Sequence, residues 1–158
     1  MNGGPTAQNE LPPSPIVVCY DGSPAAADAI DAAGTLFPGR PAIILYVWSG
    51  IAAERVRTTS VAIVREELIE EVRVAARREA SAVAKEGTDL ARRAGLRARP
   101  LTVETGEGAA DAIVRVATKE SAATVVVGRP SRTRLGSLRP GSVARSVLDR
   151  CPLPVVVV

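Results

Sequence analysis

Residues 16–24 read IVVCYDGSP, and this stretch is the strongest indication of the fold class. Its first five residues form an apolar run rich in β-branched side chains, which is typical of a buried strand. Ser23 is a favourable N-cap, and Pro24 suits the first position of a helix. Apolar residues then recur at spacings of three and four as far as Phe37. The stretch therefore predicts a strand that is followed at once by a helix.

The same alternation continues along the rest of the chain. It predicts further strands at residues 42–47, 98–103, 123–127 and 155–158, and helices at about 57–94, 109–119 and 142–150. Gly87 is expected to break or bend the longest helix, and Gly95 to end it. Strands that are apolar on both faces suit a parallel sheet covered by helices. We therefore predict an α/β, Rossmann-like fold, a doubly wound five-stranded parallel sheet in the order 3-2-1-4-5 with helices on both faces.

Length and composition bound the domain organisation and exclude several functions. The 158 residues, 46% of them hydrophobic, suit one domain, predicted at residues 16–158 after a disordered tail at 1–15 that is dominated by Gly, Pro and Asn. The chain has no His, which excludes acid–base catalysis by that side chain. Cys19 and Cys151 lie far apart in no CxxC motif, so no metal site is predicted. We find no apolar run long enough for a membrane span and no leader peptide, and we expect a cytoplasmic protein.

The predicted strand order places two unusual segments at one point of the sheet. Ligands of such sheets bind beyond the carboxyl ends of the strands where the chain changes direction, here between strands one and four. Asp21 follows the first strand, and residues 128–142, GRPSRTRLGSLRPGS, follow the fourth. The second segment ends at a helix N-terminus, which favours anions. Residues 128–148 contain five Arg and no acid, so the local charge indicates a small molecule that bears phosphate.

The spacing of four residues in this segment resembles a known signature. Gly128, Ser131, Gly141 and Ser142 occupy the positions of a motif that runs Gly, two residues, Gly, nine residues, Gly, then Ser or Thr, with Ser131 at the second glycine. That motif is the ATP-binding signature of the universal stress protein family. The chain also resembles the family in the DGS at 21–23, the YV at 46–47, the ETGEG at 104–108 and the final CPLPVVVV. The resemblance covers residues 16–158.

The resemblance implies a cytosolic stress-response protein that binds ATP or a related adenine nucleotide such as cAMP, with Mg²⁺ held only through the phosphates. Asp21 would lie beside the nucleotide, and Val47 would recognise the adenine through its backbone. Gly128 would let the chain pass close to the ribose and phosphates. The phosphates would be cradled by Ser131, Gly141, Ser142 and the N–H of Val143. For Asp21 the alternative is an acceptor at a helix start, for Val47 plain core packing, and for Gly141 and Ser142 a simple N-cap.

Three questions stay open at the level of the sequence. Ser131 either re-routes the loop, because a side chain costs about 1 kcal/mol or more where φ is positive, or donates its own hydroxyl to phosphate. Catalysis is not demanded, since the chain has no Walker A motif and no paired carboxylates at the switch point; slow ATP hydrolysis is the most we expect. The alternative function is a dimeric module that binds no nucleotide and contacts an unknown protein partner.

The final strand indicates how two copies would associate. Residues 155–158 read VVVV at the predicted edge of the sheet, with no charge to discourage pairing with another chain. Members of the family commonly dimerise through this strand, so the resemblance implies a two-fold homodimer. A nucleic-acid partner is disfavoured, because the chain contains no recognition motif and only four aromatic residues.

Overall fold

The computed structural model describes residues 13–49, 66–129 and 142–158. Strands and helices alternate through them, as the sequence predicts. The elements are β1 (Ile16–Cys19), α1 (Pro24–Leu36), β2 (Pro41–Ser49), α2 (Glu66–Arg93), β3 (Arg97–Thr105), α3 (Ala109–Lys119), β4 (Thr124–Val127), α4 (Ser142–Arg150) and β5 (Val155–Val157). Within the described ranges, no helix is both long and apolar enough to cross a bilayer.

The five strands form one parallel sheet in the order β3-β2-β1-β4-β5, which confirms the predicted topology. β1 lies at the centre, with β2 on one side and β4 on the other. Its Val18 is in register with Ile44 of β2 and with Val126 of β4. The chain therefore reverses its direction of winding between β1 and β4. In sheets of this kind, ligands bind beyond the carboxyl ends of the strands at such a point.

Alternate residues of each strand face the two helical layers. Ile16 and Val18 of β1 pack on the side of α1 and α2, whereas Val17 packs on the side of α3 and α4. All three side chains are completely buried. A central strand that is buried on both faces needs apolar residues at every position, and this explains the uninterrupted run at the start of β1.

The helix boundaries predicted from capping residues are confirmed. The Ser23 hydroxyl accepts a hydrogen bond from the amide of Ala26 over 3.2 Å, and Pro24 is the first residue of α1. Gly95 has φ +89°, and its amide donates to the carbonyl of Arg92 just after α2 ends. The predicted tail at 1–15 stays a prediction because residues 1–12 lie outside the described part. At its last residue, the carbonyl of Pro15 accepts from the amide of Ala123 over 2.8 Å.

The break expected at Gly87 does not occur, since α2 runs without interruption from Glu66 to Arg93. The reason is packing. A Cβ atom at Gly87 would lie 2.5 Å from Cδ1 of Tyr20 and 2.9 Å from Cγ2 of Ile44. Such distances are far below van der Waals contact, so the glycine is required by the close approach of α2 to the sheet rather than by the backbone of the helix.

Candidate functional site

At the carboxyl ends of the strands the sheet forms a step, because β1 and β4 end earlier than β2. β1 stops at Cys19 and β4 at Val127, whereas β2 continues to Ser49, four residues past Leu45, the register partner of Cys19. At about 3.3 Å per residue the step is about 13 Å high. β2 and β3 reach further than the sequence predicts because they pair with each other along nine residues. The step leaves an open space above the ends of β1 and β4.

Val47 presents its backbone to this space. The carbonyl of Leu45 accepts from the amide of Tyr20 over 3.0 Å, so Leu45 faces β1. Because the amide and carbonyl of alternate strand residues point to the same side, those of Val47 point in the same direction, where β1 has already ended. The Val47 side chain is half-buried against the core on the α3 side. The Val47 side chain therefore packs against the core, while its backbone amide and carbonyl stay available to a ligand.

Asp21 lies in the turn that connects β1 to α1. Its Oδ1 accepts a hydrogen bond from the amide of Ser23 over 3.0 Å, and the side chain is exposed. The turn passes through Gly22, whose φ is +81°, a value that favours glycine. Asp21 thus does act as an acceptor at the start of a helix. Its carboxylate is at the same time presented at the foot of the step.

Gly128, the first residue after β4, lies against the first turn of α1. A Cβ atom there would be 2.3 Å from the carbonyl oxygen of Ala25 and 3.0 Å from the amide of Ala26. Only glycine allows the two backbones to approach this closely. The following residue, Arg129, donates its amide to the carbonyl of Val158 over 2.6 Å. The beginning of the loop after β4 is therefore fixed next to the Asp21 turn.

The other predicted site residues divide into two groups. Ser131 and Gly141 lie outside the described residues. Ser142 is the first residue of α4, and the Val143 side chain is 39% exposed on the first turn of that helix. The structure thus brings Asp21, Val47 and Gly128 to one edge of the sheet.

Sequence reasoning missed Tyr20, which lies immediately before Asp21. Its ring is buried at 2% exposure, and its hydroxyl donates to Oε1 of Glu86 over 2.8 Å. Glu86 lies on α2, far away in the sequence. The signal that could have found it was Gly87, since a glycine within a long helical pattern often marks the close approach of another group.

Two side chains at the end of β1, the Cys19 thiol and the Tyr20 phenol, have raised pKa values. Burial, followed by the charge of Asp21 and then Cys151, raises the pKa of the Cys19 thiol to about 12. Burial and the hydrogen bond to Glu86 raise the pKa of Tyr20 to about 12. Cys19 is therefore a thiol at neutral pH and a poor nucleophile. Within residues 13–49, 66–129 and 142–158, no three Cys, Asp or Glu side chains are placed to hold a metal ion.

Comparisons with solved structures agree with this architecture. A universal stress protein from Archaeoglobus fulgidus is 23% identical, with a TM-score of 0.64 over 92% of this chain and 93% of that one. A universal stress protein from the same organism, in complex with dAMP, is 22% identical, with a TM-score of 0.62 over 93% of this chain and 98% of that one. A universal stress protein in complex with cAMP is 22% identical, with a TM-score of 0.59 over 92% and 95% of the two chains. At these identities the likeness shows the fold.

The sequence itself gives the family. No curated protein matches the chain. The profile described as Universal stress protein family matches residues 13–158, which is nearly the whole chain and includes all the strands and helices that the structure describes. The chain belongs to the universal stress protein family.

Proposed function

We propose that this chain binds an adenine nucleotide, ATP or a relative such as cAMP, at the step between β1 and β4, and acts in the cytoplasm as a stress-response sensor or regulator. The observation that carries the proposal is the backbone edge of Val47, which points over the end of β1. Adenine offers an amino donor and a ring acceptor side by side, the complement of a carbonyl and an amide on one strand. Val47 would supply both partners.

The remaining contacts follow from the position of the base. With adenine on Val47, the ribose would lie above the ends of β1 and β4, within reach of the exposed Asp21 carboxylate, a group that accepts hydrogen bonds from ribose hydroxyls. The phosphates would pass Gly128 toward the N-terminus of α4. There we propose that Ser131, Gly141, Ser142 and the amide of Val143 bind them, with Mg²⁺ entering only through the phosphates. The dAMP and cAMP complexes of the family support this class of ligand.

The site is built for binding more than for chemistry. A reaction would need an activated nucleophile or a base, and the thiol of Cys19 and the phenol of Tyr20 have raised pKa values that keep them protonated near neutral pH. We propose a regulatory role in which ATP hydrolysis, where it occurs, is slow.

Calorimetry on the full chain tests the ligand. ATP, AMP and cAMP are each titrated into protein at about 100 µM, a concentration that reveals micromolar affinities. GTP serves as the control, because its oxo group replaces the amino donor of adenine. The proposal predicts binding of the adenine nucleotides, weaker binding of GTP, and loss of binding in Gly141→Val. Lys119→Ala, an exposed cation at the C-terminal end of α3, should leave the affinity unchanged. Absence of binding for every nucleotide would favour the interaction module.

We also propose a homodimer through β5. In the described part of the chain this strand pairs with β4 alone, and Val155, Val156 and Val157 are each partly exposed. The adjoining α4 exposes Leu148 at 50% and Val143 at 39%. An uncharged strand edge beside exposed apolar side chains favours pairing with a second copy, through residues 155–158. Sedimentation equilibrium should give a dimer at micromolar concentration and a monomer for Val156→Lys. A monomeric wild type would contradict the proposal.

A further inference from the structure

The ring of Tyr20 is held between the sheet and α2. A Cβ atom on Gly87 would lie 2.5 Å from Cδ1 and 2.7 Å from Cγ of this ring, so the ring occupies the space that a side chain at position 87 would need. The hydroxyl donates to Oε1 of Glu86, on the same helix, over 2.8 Å. α2 therefore holds the carboxyl end of β1 by close packing and by one directed hydrogen bond.

The same face of α2 lies beside the turn that follows Tyr20. A Cβ atom at Gly22 would be 4.0 Å from Cγ1 of Val83. Glu86 and Gly87 lie three and four positions after Val83, so the three residues share one face of the helix. On this face, Gly87 lies against the Tyr20 ring, and Val83, one turn earlier, lies beside Gly22.

The hydroxyl of Tyr20 does more than fill space, since Phe would fill the same volume. A buried hydroxyl without a hydrogen-bond partner destabilises the folded state, so the bond to Glu86 is needed to keep the Tyr20 ring in this position. Glu86 in turn has no salt bridge to any residue in the described part of the chain, although Lys85 beside it pairs with Asp89 over 2.8 Å. In the part of the chain that the structure describes, the Tyr20 hydroxyl is therefore the hydrogen-bond partner of an otherwise exposed Glu86 carboxylate.

We propose that Glu86 is a positioning residue for the ligand site: by holding the Tyr20 hydroxyl it fixes the turn 21–23 in the conformation that receives the nucleotide. The inference rests on the proposed nucleotide function of this edge. Asp21 and Ser23 hydrogen-bond each other, so a shift of Tyr20 at the start of the turn moves both. A turn that is ordered before binding has less entropy to lose when the ligand arrives, and this raises affinity.

The first test compares AMP affinity among variants by calorimetry. Tyr20→Phe and Glu86→Ala should each bind AMP about three- to tenfold more weakly, the range expected from one hydrogen bond. Glu86→Gln should stay within about twofold of wild type, because its amide oxygen still accepts from the hydroxyl. The double variant Tyr20→Phe/Glu86→Ala should be no weaker than Glu86→Ala alone, since both changes remove one bond. Asp89→Asn, which removes a carboxylate from the next turn of the same helix, is the matched control and should bind as wild type.

The second test needs no nucleotide. Amide hydrogen exchange at Gly22 and Ser23 should be several-fold faster in Tyr20→Phe and in Glu86→Ala than in wild type, with exchange at Ala112 of α3 unchanged as the internal reference. Unchanged exchange in the turn overturns the positioning role, and so does faster exchange with unchanged AMP affinity. A wild type that binds no AMP would contradict the proposed function, while the exchange rates would still decide whether Glu86 fixes the turn.

Discussion

The amide of Tyr20 donates to the carbonyl of Leu45 over 3.0 Å at the point where β1 separates from β2. β2 continues to Ser49 in register with β3 alone. One hydrogen bond therefore marks both the end of the central strand and the beginning of the open backbone edge at Val47. The candidate site results from this difference in strand length. The difference lies at the carboxyl ends of the strands, where parallel sheets bind their ligands.

Gly128→Ala should destabilise the domain. The added Cβ would lie 2.3 Å from the carbonyl oxygen of Ala25, a backbone atom that moves only if the first turn of α1 moves. We expect a loss of about 1–3 kcal/mol in the free energy of unfolding, measured by urea denaturation. Gly106→Ala is the control, because a Cβ there has nothing within 4 Å, and it should change stability by less than about 0.5 kcal/mol. Equal effects from the two substitutions would refute the close approach at Gly128.

Gly87→Ala should also destabilise, against the trend of helix propensity. Alanine is favoured over glycine in a helix by about 1 kcal/mol, so an open position would gain stability. At Gly87 the clash with Tyr20 and Ile44 should outweigh that gain and leave a net loss of about 1–3 kcal/mol. The melting temperature of this variant is compared with that of Ser81→Ala, a control substitution on an exposed face of α2. A higher melting temperature for Gly87→Ala would show that the ring is not packed as described.

Ser23→Ala should weaken the start of α1. It removes the hydroxyl that accepts from the Ala26 amide over 3.2 Å, at an expected cost of about 1 kcal/mol. Ser23→Asp keeps an acceptor at the N-cap and should retain most of the wild-type stability. Chemical denaturation measures both, and an alanine variant as stable as the aspartate variant would contradict the capping role.

Stability should fall as the solution becomes alkaline. In the unfolded chain Cys19 and Tyr20 ionise near their ordinary pKa values of 9.0 and 10.0, whereas in the folded protein both pKa values rise to about 12. The unfolded state therefore releases protons first, and stability that is complete below pH 9 is lost between about pH 9 and pH 12. Tyr20→Phe should remove the contribution to the slope that begins near pH 10, and Cys19→Ala the contribution that begins near pH 9, so that each variant keeps the contribution of the other group up to about pH 12. Urea denaturation across this range checks both; a flat profile in the wild type would contradict the burial of these groups.

The sequence predicts most of the fold because its signals are local. The apolar run before Asp21, the cap formed by Ser23 and Pro24, and the glycine at position 95 each specify an element or its boundary through neighbouring residues. The step is different, since the continuation of β2 to Ser49 depends on pairing with β3, whose residues lie 56 positions later in the chain. Gly87 shows the same limit, because its role depends on Tyr20, 67 positions earlier in the sequence. Helix propensity alone predicts that the helix breaks at this glycine, whereas the glycine allows the continuous helix to contact the Tyr20 ring.

An NMR titration of the full chain with AMP is the decisive measurement for a nucleotide site at the step. We predict that the backbone amide resonances of Ser23, Val47 and Gly128 shift together and saturate, because they surround one ligand. Gly39 donates its amide to the carbonyl of Gly95 at the opposite end of the strands, before β2 and β3 begin, and the amide resonances of these two glycines should not move. Shifts at Gly39 and Gly95 with none at Val47, or no saturable shift at any of the five, would contradict a site at this edge.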